Sequence, residues 1–131
     1  MAKGVTEALM EVVLANAPPG AGIVGMSIAP DRRRAAVLTF LPTANYLMDD
    51  LYEWVDGIWR SQEGGSGGPG INWSGSDVGV LRFSSEAPAD AQTAVVRYDG
   101  GEHRIPIKHG YFLFVAWDTP FSQDPELVRF E

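Results

Sequence analysis

The residue pattern predicts a mainly β domain, an antiparallel sandwich or open barrel with one N-terminal α-helix. Three observations predict it. In the C-terminal half, short apolar runs recur between Gly, Pro and Asp residues, as in antiparallel sheets joined by tight turns. Asp56-Gly57 stands between two aromatic-rich apolar segments, which is the strongest short hairpin signal. A helical period opens the chain. At 131 residues, 45% hydrophobic and 11% aromatic, the sequence has the length of one domain and enough apolar material for a core. Residues 1–131 are therefore read as a single globular domain.

Val5, Leu9, Val12 and Val13 recur at helical spacing, giving a helix over 5–16 with Thr6 available as N-cap and Pro18-Pro19-Gly20 as the stop. Val24, Met26 and Ile28 then alternate with small residues. The turn Pro30-Asp31-Arg32-Arg33 leads into a second strand from Ala35 to Leu41, closed by Pro42-Thr43-Ala44-Asn45. From Tyr46 to Arg60 two patterns compete. Leu47, Leu51, Trp54, Val55 and Ile58 fit a helical face, whereas Asp56-Gly57 fits a two-residue hairpin. The hairpin is preferred, because glycine inside a helix costs about 1 kcal/mol relative to alanine. Residues 63–77 hold six glycines with Pro69, Ser66, Ser74 and Ser76, a composition that predicts a loop. Strands are expected at Val78 to Ser84, Thr93 to Tyr98, His103 to Ile107, Tyr111 to Trp117 and Leu127 to Phe130. Pro106 lacks an amide donor, so its strand belongs at an edge or at a bulge. The unbroken apolar run from Tyr111 to Trp117 predicts a central strand covered on both faces.

Composition narrows the function classes. Ten Lys and Arg against seventeen Asp and Glu leave a net charge of −7, which makes nucleic acid and anionic membrane poor partners. No cysteine is present, excluding disulfides, thiolate zinc sites, iron–sulfur clusters and cysteine nucleophiles. Glu7 and Glu11 interrupt the first apolar stretch, unlike a secretory signal. The seven-residue run from Tyr111 to Trp117 falls far short of the roughly 20 apolar residues of a membrane-spanning helix. A cytoplasmic location is the resulting expectation.

Several groups could carry chemistry. Gly65-Ser66-Gly67-Gly68-Pro69-Gly70 spells the dinucleotide pattern G-x-G-x-x-G, but no helical period follows to aim amides at a pyrophosphate. His103 and His109 lie near Asp99 and Glu102, yet Arg104 and Lys108 would place cations beside any metal. They are read as turn histidines, with no metal and no cofactor. Asp49, Asp50 and Glu53 stand beside Tyr52 and Trp54. Carboxylates with aromatic platforms suit glycoside hydrolysis or sugar binding, and equally suit solvated acids beside core aromatics. Arg32-Arg33-Arg34, the one basic run, could grip an acidic partner or form a solvated hairpin tip. Neither Gly-x-Ser-x-Gly at a strand-to-helix turn nor Ser-x-x-Lys occurs, so nucleophilic serine catalysis has no support. Trp73 sits among glycines, where its ring either plugs the fold or meets a partner.

The stretch Gly-Glu-His-Arg-Ile-Pro-Ile-Lys-His-Gly-Tyr-Phe-Leu-Phe-Val-Ala-Trp-Asp at 101–118, with Ser85-Glu86-Ala87-Pro88 and Val95-Val96-Arg97-Tyr98-Asp99-Gly100 before it, resembles a family of small uncharacterised actinobacterial β-rich proteins. More loosely, Val55-Asp56-Gly57-Ile58-Trp59 shares the resemblance. It implies a β fold with a hairpin at 56–57 and assigns no catalytic residue. Similar sheet modules attached to membrane-anchored regulators imply a binding role.

The sequence thus reads as a non-catalytic interaction or binding module with a protein partner, touching it through Trp73, Arg32, Arg33 and Arg34. The alternative is a small-molecule or carbohydrate-binding protein, or a weak hydrolase, built on Asp49, Asp50, Tyr52 and Trp54. A flat aromatic patch would favour the first. A pocket of about 300 Å³ or more with convergent polar groups would favour the second.

Overall fold

The computed structural model describes residues 4–67, 72–74, 80–117 and 125–131, with backbone alone at 5, 63–67 and 72–74. These residues form a mainly β fold with antiparallel pairing throughout, one helix and no closed barrel. Within residues 1–131, read above as one domain, the contacts gather into two compact units, Met1–Gly68 and Pro69–Glu131. Among the described residues, no helix is long and apolar enough to cross a membrane.

The first unit is a helix on a four-stranded meander. Helix α1 (Val5–Asn16) starts after Gly4, whose extended backbone lets the Ala8 amide close the first turn on the Gly4 carbonyl at 3.0 Å. Thr6 is therefore already helical and does not cap, because a cap must keep its own backbone outside the helix. At the other end Ala17 is extended, its amide donating to the Val13 carbonyl at 3.0 Å. Pro18 follows and disfavours helical backbone at the residue before it.

Strands β1 (Gly22–Ile28), β2 (Arg34–Leu41), β3 (Tyr46–Val55) and β4 (Ile58–Gly67) pair in sequence order. Leu9 and Val13 of α1 are buried with Ala35, Val37, Tyr52 and Trp59 of the sheet. Full burial of each such aliphatic side chain stabilises by about 1.5–3 kcal/mol. Asp56 and Gly57, at φ 52° and 82°, form the two-residue turn between β3 and β4, with Val55 opposite Ile58. Two consecutive positive-φ residues give the turn a twist that matches its strands, so the hairpin and not the helix occupies 46–60.

One expectation is corrected here. Residues 63–67 belong to β4, opposite Leu47 to Leu51, and β5 (Asn72–Ser74) pairs with Ser84 to Arg82. The composition of 63–77 suggested a loop throughout, but backbone amides and carbonyls pair whatever side chain the residue carries. Residues 68–71 and 75–77 of that stretch lie outside the described residues.

The second unit contains two three-stranded antiparallel sheets. One has the order β5-β6-β9, with β6 Leu81–Glu86 and β9 Tyr111–Ala116. The other has the order β10-β7-β8, with β7 Thr93–Tyr98, β8 Gly101–Pro106 and β10 Glu126–Phe130. Leu81, Phe83, Phe112 and Phe114 from the first sheet share a core with Ala94, Val96 and Tyr98 from the second, and Ile105, Leu127 and Phe130 pack against it. Phe112 meets Phe83 of its own sheet edge-on at 5.6 Å and Phe130 of the other sheet at 6.2 Å. This is a small β-sandwich. Asp99-Gly100 and His109-Gly110 make further turns with two consecutive positive φ values.

Pro106 ends an edge strand, β8, as its missing donor predicts. The expectation for Tyr111 to Trp117 is overturned. Among the described residues β9 is also an edge strand, with Phe112 and Phe114 buried and Tyr111, Leu113 and Val115 half-buried. The central, doubly covered strand is β6, buried from Leu81 to Ser85. Its Arg82 and Ser84 disguised it, because polar residues at alternate positions read as a solvated face.

Candidate functional site

On β3, successive side chains point to opposite faces. The register sets Thr39 beside Met48, Val37 beside Asp50 and Ala35 beside Tyr52, so all six share the face that carries α1. A bulge between Leu51 and Tyr52 leaves Gln62 as the extra residue of β4 and brings Ser61 opposite Tyr52. Where α1 stops at Asn16, its cover ends, and the sheet behind it is left open. The result is a cleft of about 340 Å³ lined by Val13, Asn16 and Ala17 from the helix end, Thr39 from β2, Met48, Asp50 and Tyr52 from β3, and Ser61 from β4.

The chemistry of the cleft follows from these groups. Burial pushes the Tyr52 phenol above its ordinary value, and the nearby Asp50 charge pushes it the same way. At neutral pH Tyr52 is therefore an O–H group and not a phenolate. The helix C-terminus carries no basic residue in its last turn, so its carbonyls add to the negative character set by Asp50. No lysine or arginine is among the lining residues. A carboxylate and three hydroxyl groups, with the Asn16 side-chain oxygen beside them, suit a ligand rich in hydroxyl groups, and the carboxylate charge works against an anion.

The other predicted residues are placed as follows. Asp49 and Glu53 point to the face opposite Asp50, with Asp49 in register with Leu38 and Gly65. Adjacent residues of a strand cannot form the carboxylate pair that glycoside hydrolysis needs. Trp54 shares the face of Asp50 and Tyr52 but sits edge-on against buried Trp59 at 5.3 Å, packed on the core and away from the cleft. Arg32 and Arg33 are exposed at the β1–β2 tip, Arg32 at φ 62°. The Arg33 amide donates to Asp31 Oδ1 at 2.9 Å, and Arg34 Nε donates to Asp31 Oδ2 at 3.1 Å. Trp73 lies on β5 opposite Phe83, and its side chain lies outside the described residues.

His103 and His109 are both exposed, His103 against Phe114 with ring centroids 5.2 Å apart. Among the described residues no group of three His, Asp or Glu side chains gathers as a metal site. Thr39, Ser61, Asn16 and Met48 were missed from sequence. Only the strand register and the end of α1 bring them to Asp50, and no local motif announces either. Comparison with family models, curated proteins and solved structures gave no match.

Proposed function

We propose that the first unit is a non-catalytic binding module for a small polyhydroxylated molecule of monosaccharide or polyol size. One observation carries the reading: Asp50, Tyr52, Thr39 and Ser61 converge on one cleft of about 340 Å³. That volume lies at the lower end of ligand pockets, which run from about 300 to 1,000 Å³. It favours the ligand-binding alternative over a flat contact patch. The weak hydrolase activity loses its footing, because the second carboxylate needed beside Asp50 points to the other face. Membership of the actinobacterial β-rich family belongs to the same proposal and assigns no residue a role.

The test is calorimetric titration of the full chain with hexoses, pentoses, inositol and linear polyols. At least one is expected to bind, and Asp50→Asn is expected to weaken it by about tenfold, the loss of a hydrogen bond to a charged group. Absence of heat across the panel, or an unchanged affinity in a folded Asp50→Asn protein, overturns the reading.

A protein partner is the second reading, favoured by exposed Arg32 and Arg33 next to half-exposed Ile58 at the same end of the sheet. The Trp54 amide donates to the Arg33 carbonyl at 2.7 Å and ties the two hairpin tips together. Retention on immobilised polyglutamate tests it. Wild type should be held at low salt, and an Arg32→Ala/Arg33→Ala variant should wash through.

A further inference from the structure

The second unit carries a depression of its own at one end of its sandwich. It has a volume of about 380 Å³ and is lined by Tyr98, Asp99, Gly101, His103, Phe114, Val115, Ala116 and Trp117. Three pieces of chain build it. The turn at Asp99-Gly100 holds Asp99 at φ 53°, at the tip that joins β7 to β8. On β8, His103 stands opposite Val96, and so faces the sandwich interior at its margin and covers Phe114. From β9 come Phe114 and the residues that follow it to Trp117. Tyr98 and Phe114 are in contact at 5.8 Å between ring centroids, so their rings form a continuous aromatic floor with His103.

This composition selects a ligand class. Four aromatic side chains and one carboxylate line the depression, and no lysine or arginine is among the lining residues. Ring faces carry partial negative charge and attract weakly hydrated cations, most strongly at tryptophan. A carboxylate at the rim adds attraction for the same charge and repels anions. Primary ammonium ions are strongly hydrated and gain less from such a surface than methylated ones, whose methyl groups also bury apolar area. We propose that this depression binds the trimethylammonium group of a small molecule or side chain, with Asp99 as counter-ion and Trp117, Phe114, Tyr98 and His103 as the aromatic walls. The site uses no residue of the polyol cleft and stands or falls apart from it.

Calorimetric titration of the full chain with choline and with free trimethyl-lysine tests the proposal, and the tighter of the two assigns the source of the group. The neutral carbon isostere of choline serves as control. Choline or trimethyl-lysine should bind at least about tenfold more tightly than the isostere, since charge distinguishes them. Asp99→Asn should lower affinity about tenfold while leaving the turn intact, because asparagine tolerates positive φ. Trp117→Phe keeps an apolar ring and should cost about threefold. Equal binding of the isostere overturns the proposal. So does the absence of binding by either cation, or unchanged affinity in both variants with their melting curves intact.

Discussion

Asp50 and Tyr52 meet because they are two positions apart on one strand, and Asp49 is lost to the other face for the same reason. The sequence singled out all three, since carboxylates and aromatics stand together there. The parity was less plain, because a competing helical face runs through the same stretch. Tyr52 offers a sharp residue-level test. Its phenol is held above the ordinary tyrosine value of about 10, first by burial and then by Asp50. A raised folded-state value means that folding is favoured while the phenol keeps its proton. That contribution is intact below pH of about 10 and disappears as pH climbs through the folded-state value. Near-UV phenolate absorbance should therefore show a late-ionising phase that shrinks in Tyr52→Phe. The same variant should soften the alkaline fall in melting temperature without abolishing it. Tyr111, pushed up by burial and by Glu86, acts in the same direction. Core residues obey a simpler rule. Leu9, fully buried on the inner face of α1, should cost roughly 2–5 kcal/mol as Leu9→Ala in denaturant unfolding.

At the scale of elements, turns were the most legible part of the sequence. Asp56-Gly57 and Asp99-Gly100 each take two consecutive positive φ values, and these dipeptides announce that geometry. Gly57→Ala should destabilise by about 1–2 kcal/mol in chemical denaturation, because alanine resists φ of 82° although space is open around its position. An unchanged midpoint would mean that the hairpin does not need the left-handed residue. Helix α1 was legible in extent, though its cap was not. Apolar spacing reports which face is buried, whereas the first helical residue depends on where the chain enters. Strand order was the least legible. The aromatic run of β9 outranked β6 in hydrophobicity, yet β6 took the central place with Arg82 inside it. Across β10, β7 and β8, Glu126, Arg97 and Glu102 form an exposed ladder, with Arg97 3.5 Å from each carboxylate. Arg129 joins it through Glu102 and Glu131, and Arg104 pairs with Glu131. Exposed pairs contribute at most about 1 kcal/mol each and weaken in salt. Arg97→Ala should therefore lower the melting temperature slightly at low ionic strength and negligibly at high.

At the scale of the whole molecule, each unit has its own core and its own depression, and each depression draws on one unit alone. Both are lined by a carboxylate and by no lysine or arginine, in keeping with a chain of net charge −7. Composition made that sign legible from the start. The gathering of Asn16, Thr39, Asp50 and Ser61 was not, because it requires a helix end and three strands to be placed before any two of them are neighbours. Since the two sites share no residue, Asp50→Asn should leave the response to choline unchanged. The most direct measurement is backbone amide NMR during titration with the tightest polyol of the panel. Amides of Asn16, Ala17, Thr39, Asp50, Tyr52 and Ser61 should shift together, with one saturation curve that moves to about tenfold higher concentration in Asp50→Asn. Shifts confined to other residues, or the same shifts in Asp50→Asn at unchanged affinity, would contradict a ligand site beneath the end of α1.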